Sequence, residues 1–300
     1  MNVLITGGTG FVGNRLCHHL LIEGHSVTAI GRGRRRDEID HKRYRFLSAD
    51  TTRPGAWTEA AAEADAVINL AGRSIFTRWT NRAKKAIVDS RLETTRNLVD
   101  ALPDGWAGVL LSTSAVGYYG DRGDERLTES ATPGEGFLAD LGRDWEAEAM
   151  RAAEKGARVA IMRFGVVLGR CGGALDKMVP AFKMFLGGPL GSGDQWFPWI
   201  HIRDLVRAAR YLLETPDLSG PFNFTAPEPL RNREFARTLG RVLGRPAVMP
   251  APAVAIRAFL GEFGGVLLSS QRAVPERLGD AGFSFEFPDA ETALAHFLSE

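Results

Sequence analysis

The run Thr6-Gly7-Gly8-Thr9-Gly10-Phe11-Val12-Gly13 carries glycines at two spacings suited to a phosphate, Gly8-x-Gly10-x-x-Gly13 and Gly7-x-x-Gly10-x-x-Gly13. Glycines permit a tight turn and let the backbone approach an anion. The N–H groups of a following helix then face it, and the helix dipole favours its charge. The run follows an apolar strand-like segment, Val3 to Thr6, and opens a helical one, Phe11 to Glu23. That context marks a site for the pyrophosphate of a dinucleotide. Gly7, Thr9, Gly10, Phe11, Val12 and Gly13 are its expected contacts; the alternative is an ordinary strand–helix turn.

The next strand speaks to which dinucleotide. An NAD site places an Asp or Glu about 20 residues beyond the glycines, on the ribose 2′-hydroxyl. Here that place holds Arg32, within Gly31-Arg32-Gly33-Arg34-Arg35-Arg36, and no acid. A guanidinium suits a 2′-phosphate through charge-assisted bonds. Arg32, at the strand end, is therefore expected to select NADP. For Arg34, Arg35 and Arg36 a solvated basic turn is the alternative.

These residues need a frame. Strands are expected at Val3 to Thr6, Ser26 to Ile30, Arg45 to Leu47, Ala66 to Leu70, Val109 to Ser112 and Arg158 to Met162. Helices are expected at Asn81 to Ala101 and Leu138 to Glu154, besides the first. Apolar strands alternating with helices predict an α/β fold: a Rossmann-type, doubly wound parallel sheet covered on both faces. After Phe164 glycine and proline become dense. Helices are expected near Leu175 to Phe185, Arg203 to Glu214 and Arg231 to Leu243, with Pro246 to Pro252 a linker and a helical tail. Residues 1–165 read as the cofactor domain and 166–300 as a smaller substrate-side portion, of which about 195–227 return to the sheet.

Composition narrows the function. Lys plus Arg is 37 and Asp plus Glu 36, a net charge of +1. That balance argues against a nucleic-acid or anionic-membrane binder. No apolar run approaches the ~18 residues of a membrane span. Two cysteines, Cys17 and Cys171, make neither a disulfide framework nor a four-cysteine zinc site, so a reducing cytoplasm is expected. No His-Glu-x-x-His, Cys-x-x-Cys, Gly-x-x-x-x-Gly-Lys-Ser/Thr or Gly-x-Ser-x-Gly occurs, which removes zincin, zinc-ribbon, P-loop and nucleophile-elbow chemistry.

The chain resembles the extended short-chain dehydrogenase/reductase superfamily. The resemblance rests on the glycine run, Asp50, Asn69-Leu70-Ala71-Gly72, Ser112-Thr113-Ser114, Phe197 to Leu205 and Asn223-Phe224-Thr225-Ala226. Within it, Asp89 to Arg96, Gly165 to Gly169, Gly187 to Gly193 and the tail Leu268 to Pro288 are similar to the epimerase-family proteins of nucleoside-diphosphate-sugar epimerase type that carry an extra C-terminal segment. The resemblance implies an NADP-dependent oxidoreductase or epimerase acting on a small polar molecule such as a sugar nucleotide. It implies Asp50 near the adenine, Leu70, Ala71 and Gly72 lining the cleft, Arg91 facing the cofactor, Thr113 beside it, and Phe164 and Gly165 near the nicotinamide. Sheet core is the alternative for Leu70 and Ala71, and a surface cation for Arg91. Arg73 stands where the subfamily usually has Glu.

The catalytic pattern departs further. The superfamily normally pairs Ser or Thr with Tyr-x-x-x-Lys, in which the lysine lowers the tyrosine pKa. Residues four beyond Tyr44, Tyr118, Tyr119 and Tyr211 are Ser48, Arg122, Gly123 and Thr215. The helix that should carry the pair, Phe137 to Glu146, contains neither residue. Ser114 is the expected substrate-orienting hydroxyl, with Ser112 and Thr113 beside it; a strand-end hydroxyl bound to backbone or cofactor amide is the alternative. Tyr118, with Tyr119 as its neighbour, is the expected proton donor, against ordinary aromatic packing. His201, within the late motif, could face substrate, against the more common role of a lone histidine as a structural hydrogen bonder. A cofactor-binding regulatory or interaction module with little or no turnover is the competing function.

Overall fold

The computed structural model describes residues 1–33 and 39–299; Arg34, Arg35 and Arg36 lie outside them. The strands are β1 (Asn2–Thr6), β2 (Ser26–Gly31), β3 (Tyr44–Ser48), β4 (Ala66–Asn69), β5 (Val109–Ala115), β6 (Arg126–Leu127), β7 (Arg158–Phe164), β8 (Val166–Leu168), β9 (Trp196–Phe197), β10 (Trp199–His201), β11 (Gly220–Phe224), β12 (Leu230–Arg231) and β13 (Arg272–Ala273). The helices are α1 (Phe11–Ile22), α2 (Ala56–Ala62), α3 (Asn81–Ala101), α4 (Phe137–Met150), α5 (Leu175–Lys183), α6 (Ile202–Glu214), α7 (Asn232–Leu243), α8 (Ala253–Leu260), α9 (Glu262–Val266), α10 (Glu276–Asp280) and α11 (Ala290–Ser299).

Seven strands form one sheet in the order β11-β7-β5-β4-β1-β2-β3, parallel in every pair. This is the expected Rossmann-type sheet. Strand order reverses between β1 and β4, where a cleft opens at the carboxyl ends. Side chains alternate between two apolar layers. Val3, Ile5, Val27 and Ile68 pack on the α1 and α6 side. Leu4, Ile30, Val67 and Leu110 pack on the α2 and α3 side. Burial on both faces is why these strands are apolar without a break.

Two strands outrun their apolar runs. β5 continues through Thr113 and Ser114 to Ala115, in register with β7 from Met162 to Phe164. Backbone pairing carries both strands past the hydrophobic signal. α4 ends at Met150 and a 3₁₀ turn, 151–155, completes the segment, closed by left-handed Gly156 (φ 96°).

The C-terminal segment is bolted to the sheet by polar contacts. Buried Asp204 on α6 accepts the backbone amides of Glu286 and Phe287, both at 2.8 Å. Asn223 of β11 donates to the carbonyls of Leu127 (3.2 Å) and Val274 (2.9 Å), beside the parallel β6–β13 pair. β11 is an outer strand of the sheet and contains Pro221. Arg277 of α10 donates to the carbonyls of Ser219 (2.8 Å) and Pro221 (2.6 Å). No described helix is long and apolar enough to cross a membrane.

Candidate functional site

The glycine turn sits where β1 hands over to α1. Gly7 has φ 70°, a left-handed conformation that favours glycine. A Cβ on Gly13 would lie 2.3 Å from the Gly7 carbonyl oxygen, so the helix can start this close to the turn only without a side chain. Gly10 is the N-cap of α1, and no side chain caps that helix. The first-turn N–H groups therefore remain free for an anion.

The turn forms one wall of a cleft of about 220 Å³ at the β1–β4 switch point. The structure brings Gly7, Thr9, Gly10, Arg32, Asp50, Leu70, Ala71 and Gly72 together around it. Thr6, at the end of β1, shapes the opposite wall. Its hydroxyl donates to Asn69 Oδ1 (2.7 Å) and accepts from the amides of Leu70 and Ala71 (both 3.2 Å). Asn69 in turn donates to Thr95 (2.9 Å), which also accepts from the Trp145 indole (2.9 Å). Phe11 and Val12 turn away from the cleft into the core layer. Phe11 lies against Gly169, Gly172 and Gly173, where Cβ atoms would come within 3.0 Å of its ring.

The cleft is cationic. Arg32 is exposed and makes no hydrogen bond or ion pair with a described residue. Asp50 is held below the usual carboxylate range, first by the Thr52 hydroxyl (2.8 Å) and further by the Arg32 charge. Arg73 also lines the cleft. Arg91, on α3, has its guanidinium against Gly72, donates to the carbonyls of Arg73 (3.0 Å) and Ile87 (3.1 Å), and faces the Trp145 ring at 5.2 Å. It has no carboxylate partner among the described residues, and burial lowers its pKa to about 10. A guanidinium in that state is suited to receiving an anion.

A second cluster stands at the ends of β5 and β7, outside the residues lining that cleft. Arg163, 3% exposed, pairs with Glu146 through two bonds of 2.8 and 2.7 Å. Burial alone would lower the Arg163 pKa; the Glu146 carboxylate outweighs burial and raises it. Ser114 donates to the same carboxylate at 2.6 Å. Arg163 also donates to the Tyr119 hydroxyl (2.9 Å), which bonds Asn223 Oδ1 (2.7 Å). Burial pushes Tyr119 up to about 12, so it stays a neutral structural phenol. Tyr118 differs: its ring lies on the Arg163 guanidinium at 3.7 Å, and its hydroxyl bonds no described residue. The buried hydroxyls of Ser112 and Thr113 have no hydrogen-bond partner among the described residues.

The α4 positions that face this turn are Leu138 and Gly142. A Cβ on Gly142 would lie 3.3 Å from Tyr118 Cα and Cβ, and one on Gly117 would lie 3.2 Å from Leu138 Cβ. Tyr118 packs over α4 where a long side chain at position 142 would have to leave. Phe164 ends β7 beside Phe224, and the amide of the following Gly165 donates to the Phe224 carbonyl (3.0 Å). His201 is distant from both clusters in role: it caps α6, its Nδ1 accepting the Arg203 amide (3.0 Å), and burial drives its pKa down to about 3.

Sequence reading overlooked Thr6, Asn69, Glu146 and Arg163. Two signals were available. Arg163 follows the apolar run Val159 to Met162 within one strand, and a charge there requires a partner. Glu146 lies four residues beyond Gly142 and eight beyond Leu138, on the helix face that packs inward.

Fold and site together define a Rossmann-type α/β protein with a glycine turn at its switch point. The chain belongs to the NAD dependent epimerase/dehydratase family, whose family model matches residues 3–224. A second model, a domain of unknown function (DUF1731), matches residues 251–297. The chain is 41% identical over 298 residues to the epimerase family protein SDR39U1 homolog, chloroplastic, of Arabidopsis thaliana, covering 98% of this chain and 86% of that protein. It is 37% identical to the epimerase family protein YfhF of Bacillus subtilis, covering 100% and 99%. The crystal structure of human epimerase family protein SDR39U1 (isoform 2) with NADPH matches with a TM-score of 0.87 at 35% identity, covering 100% of this chain and 99% of that one.

Proposed function

We propose that this chain binds NADP and acts as an oxidoreductase or epimerase on a small polar substrate, with sugar nucleotides the first class to test. The observation that carries this is Arg32, a guanidinium with no ion-pair partner among the described residues, on the wall that also holds the glycine turn. The uncapped start of α1 and the glycine cradle fit a pyrophosphate. The human relative with NADPH supports the same cofactor.

In this reading Gly7, Thr9, Gly10, Phe11, Val12 and Gly13 hold the pyrophosphate through the turn and helix start. Arg32 takes the 2′-phosphate, Asp50 lies at the adenine, and Leu70, Ala71, Gly72 and Arg91 line the path. Thr113, Phe164 and Gly165 meet the nicotinamide end. When bound, the cofactor supplies the hydride acceptor or donor. Ser114 orients the substrate, and Tyr118, whose hydroxyl bonds no described residue, gives or takes the proton. Residues 1–165 serve the cofactor and 166–300 the substrate. A chain with only two cysteines, Cys17 and Cys171, and no disulfide between them fits a cytoplasmic setting.

One observation favours the alternative, an NADP-binding module with little turnover: the Ser114 hydroxyl is already committed to Glu146 at 2.6 Å. The two are separated by following reduced-nicotinamide absorbance against sugar nucleotides and small carbonyl compounds, with epimer products assayed separately. Turnover that Tyr118→Phe abolishes supports the enzyme. Full turnover in Tyr118→Phe removes Tyr118 from the mechanism. Tight NADP binding with no reaction across the panel favours the module.

A further inference from the structure

Away from the dinucleotide cleft, α1 and α6 border a cavity of about 280 Å³ whose lining, among the described residues, holds four arginines, three histidines and no carboxylate. On α1 the face is built at helical spacing by Arg15, His18, His19 and Ile22. Arg203 and Arg207 come from α6, Arg170 from the loop after β8, and Phe297 of α11 closes one side.

Two of these cations are already engaged. Arg207 pairs with Asp204 at 2.9 Å, and Arg203 with Glu286 at 2.9 Å. Arg15 and Arg170 make no hydrogen bond or ion pair with any described residue. His201 adds an orphan donor. It is 0% exposed and held between the rings of Phe287 (3.8 Å) and Phe297 (4.5 Å). Its Nδ1 accepts the Arg203 amide and so carries no proton. A neutral imidazole must then carry its proton on Nε2, and that buried atom has no partner among the described residues. His19 Nε2 is likewise buried and unpartnered. Around one cavity, two guanidinia and two buried ring nitrogens thus lack an acceptor among the described residues, and an oxyanion supplies one. The remaining wall, Ile22, Ile202, Val206 and Phe297, is apolar.

We infer that this cavity is a second ligand site, for a small organic phosphate: a dianionic head against Arg15 and Arg170, and an apolar body against Ile202, Val206 and Phe297. Such a ligand would bridge α1, whose start carries the glycine turn, and the C-terminal α11. That arrangement suits an effector rather than a substrate.

The test uses the full chain and phenyl phosphate as probe, with excess NADP present to fill the dinucleotide cleft. Calorimetry should give one phenyl phosphate per chain, bound at least tenfold more tightly than phenol. The ring ¹⁵N resonances of His201 and His19 should shift on titration. Arg15→Ala/Arg170→Ala, a change in two exposed side chains outside the dinucleotide cleft, should weaken the probe at least tenfold and leave NADP affinity unchanged. This arm reports on the cavity whether or not NADP binds. Binding no tighter than phenol, equal binding in the double variant, unmoved histidine resonances, or displacement of the probe by NADP would each overturn the assignment.

Discussion

The Arg163 guanidinium lies 3.7 Å from the centroid of the Tyr118 ring, while its Nη1 donates to the hydroxyl of Tyr119 at 2.9 Å. One buried cation thus holds two adjacent tyrosines by different means, one by the ring face and one by the oxygen. The two phenols should answer differently to loss of the hydroxyl. Tyr119→Phe leaves Asn223 Oδ1 and an Arg163 N–H without their partner and should cost about 1–3 kcal/mol. Tyr118→Phe keeps the stacked ring and should change stability by less than about 0.5 kcal/mol. Urea unfolding of both variants checks this; equal losses would mean that the Tyr118 hydroxyl is bound after all.

Glu146 should matter more to folding than an ordinary surface acid. Glu146→Ala strands the buried Arg163 charge and should destabilise by about 3–5 kcal/mol. Glu146→Gln keeps an acceptor for Ser114 and Arg163 and should lose less. Arg163→Met/Glu146→Leu, which removes both charges, should be less damaging than the sum of the single changes, as a double-mutant cycle in urea would show.

Arg32→Ala should weaken NADP by about 1.5–3 kcal/mol, the worth of a charge-assisted phosphate contact, and leave NAD unchanged. Titration of both oxidised cofactors reads this directly. Equal affinity of the native protein for the two, or an unaltered NADP affinity in the variant, would remove Arg32 from the 2′-phosphate.

Acid should loosen the fold through its buried histidines. Burial, with His296 and Arg203 adding to it, holds His201 down to about 3. The unfolded chain takes that proton near pH 6.5, the ordinary histidine value. The stability owed to neutral His201 is therefore fully present above about pH 6.5 and is lost as pH falls towards 3. His19, lowered chiefly by burial, acts in the same direction. The contribution of His201 should approach about 1.4 kcal/mol per pH unit below the unfolded value. Urea midpoints measured from about pH 6.5 to 5 should fall in the native protein and fall less in His201→Asn, which keeps a side-chain acceptor for the helix cap.

The nucleotide half was legible because its signals are local. The Gly7 to Gly13 spacing, the apolar β1 before it and the amphipathic α1 after it fall within one stretch of chain, and each constrains the others. Arg32 was legible from its place at the end of β2, about 20 residues past the glycines, and Asp50 only through the family resemblance; both line the cleft. The Glu146–Arg163 pair was not: its members are 17 residues apart, on a helix and a strand whose docking no local pattern states. Thr6 and Asn69, 63 residues apart, were quoted within motifs yet given no role. Tyr118 and Tyr119 look equivalent in the sequence. Only the turn at 116–119 separates them, burying one hydroxyl and sparing the other.

The fastening of β11 bears on what the chain becomes when cut. Pro221 has no N–H to offer along this outer strand, and Arg277 occupies the carbonyls of Ser219 and Pro221. Both devices blunt an edge that would otherwise accept a foreign strand. A molecule clipped ahead of Arg277 should lose that cover, leaving the β11 border of the sheet open to pairing. Proteolysis in the C-terminal segment should therefore favour strand-to-strand association of clipped chains, which light scattering after limited digestion would reveal.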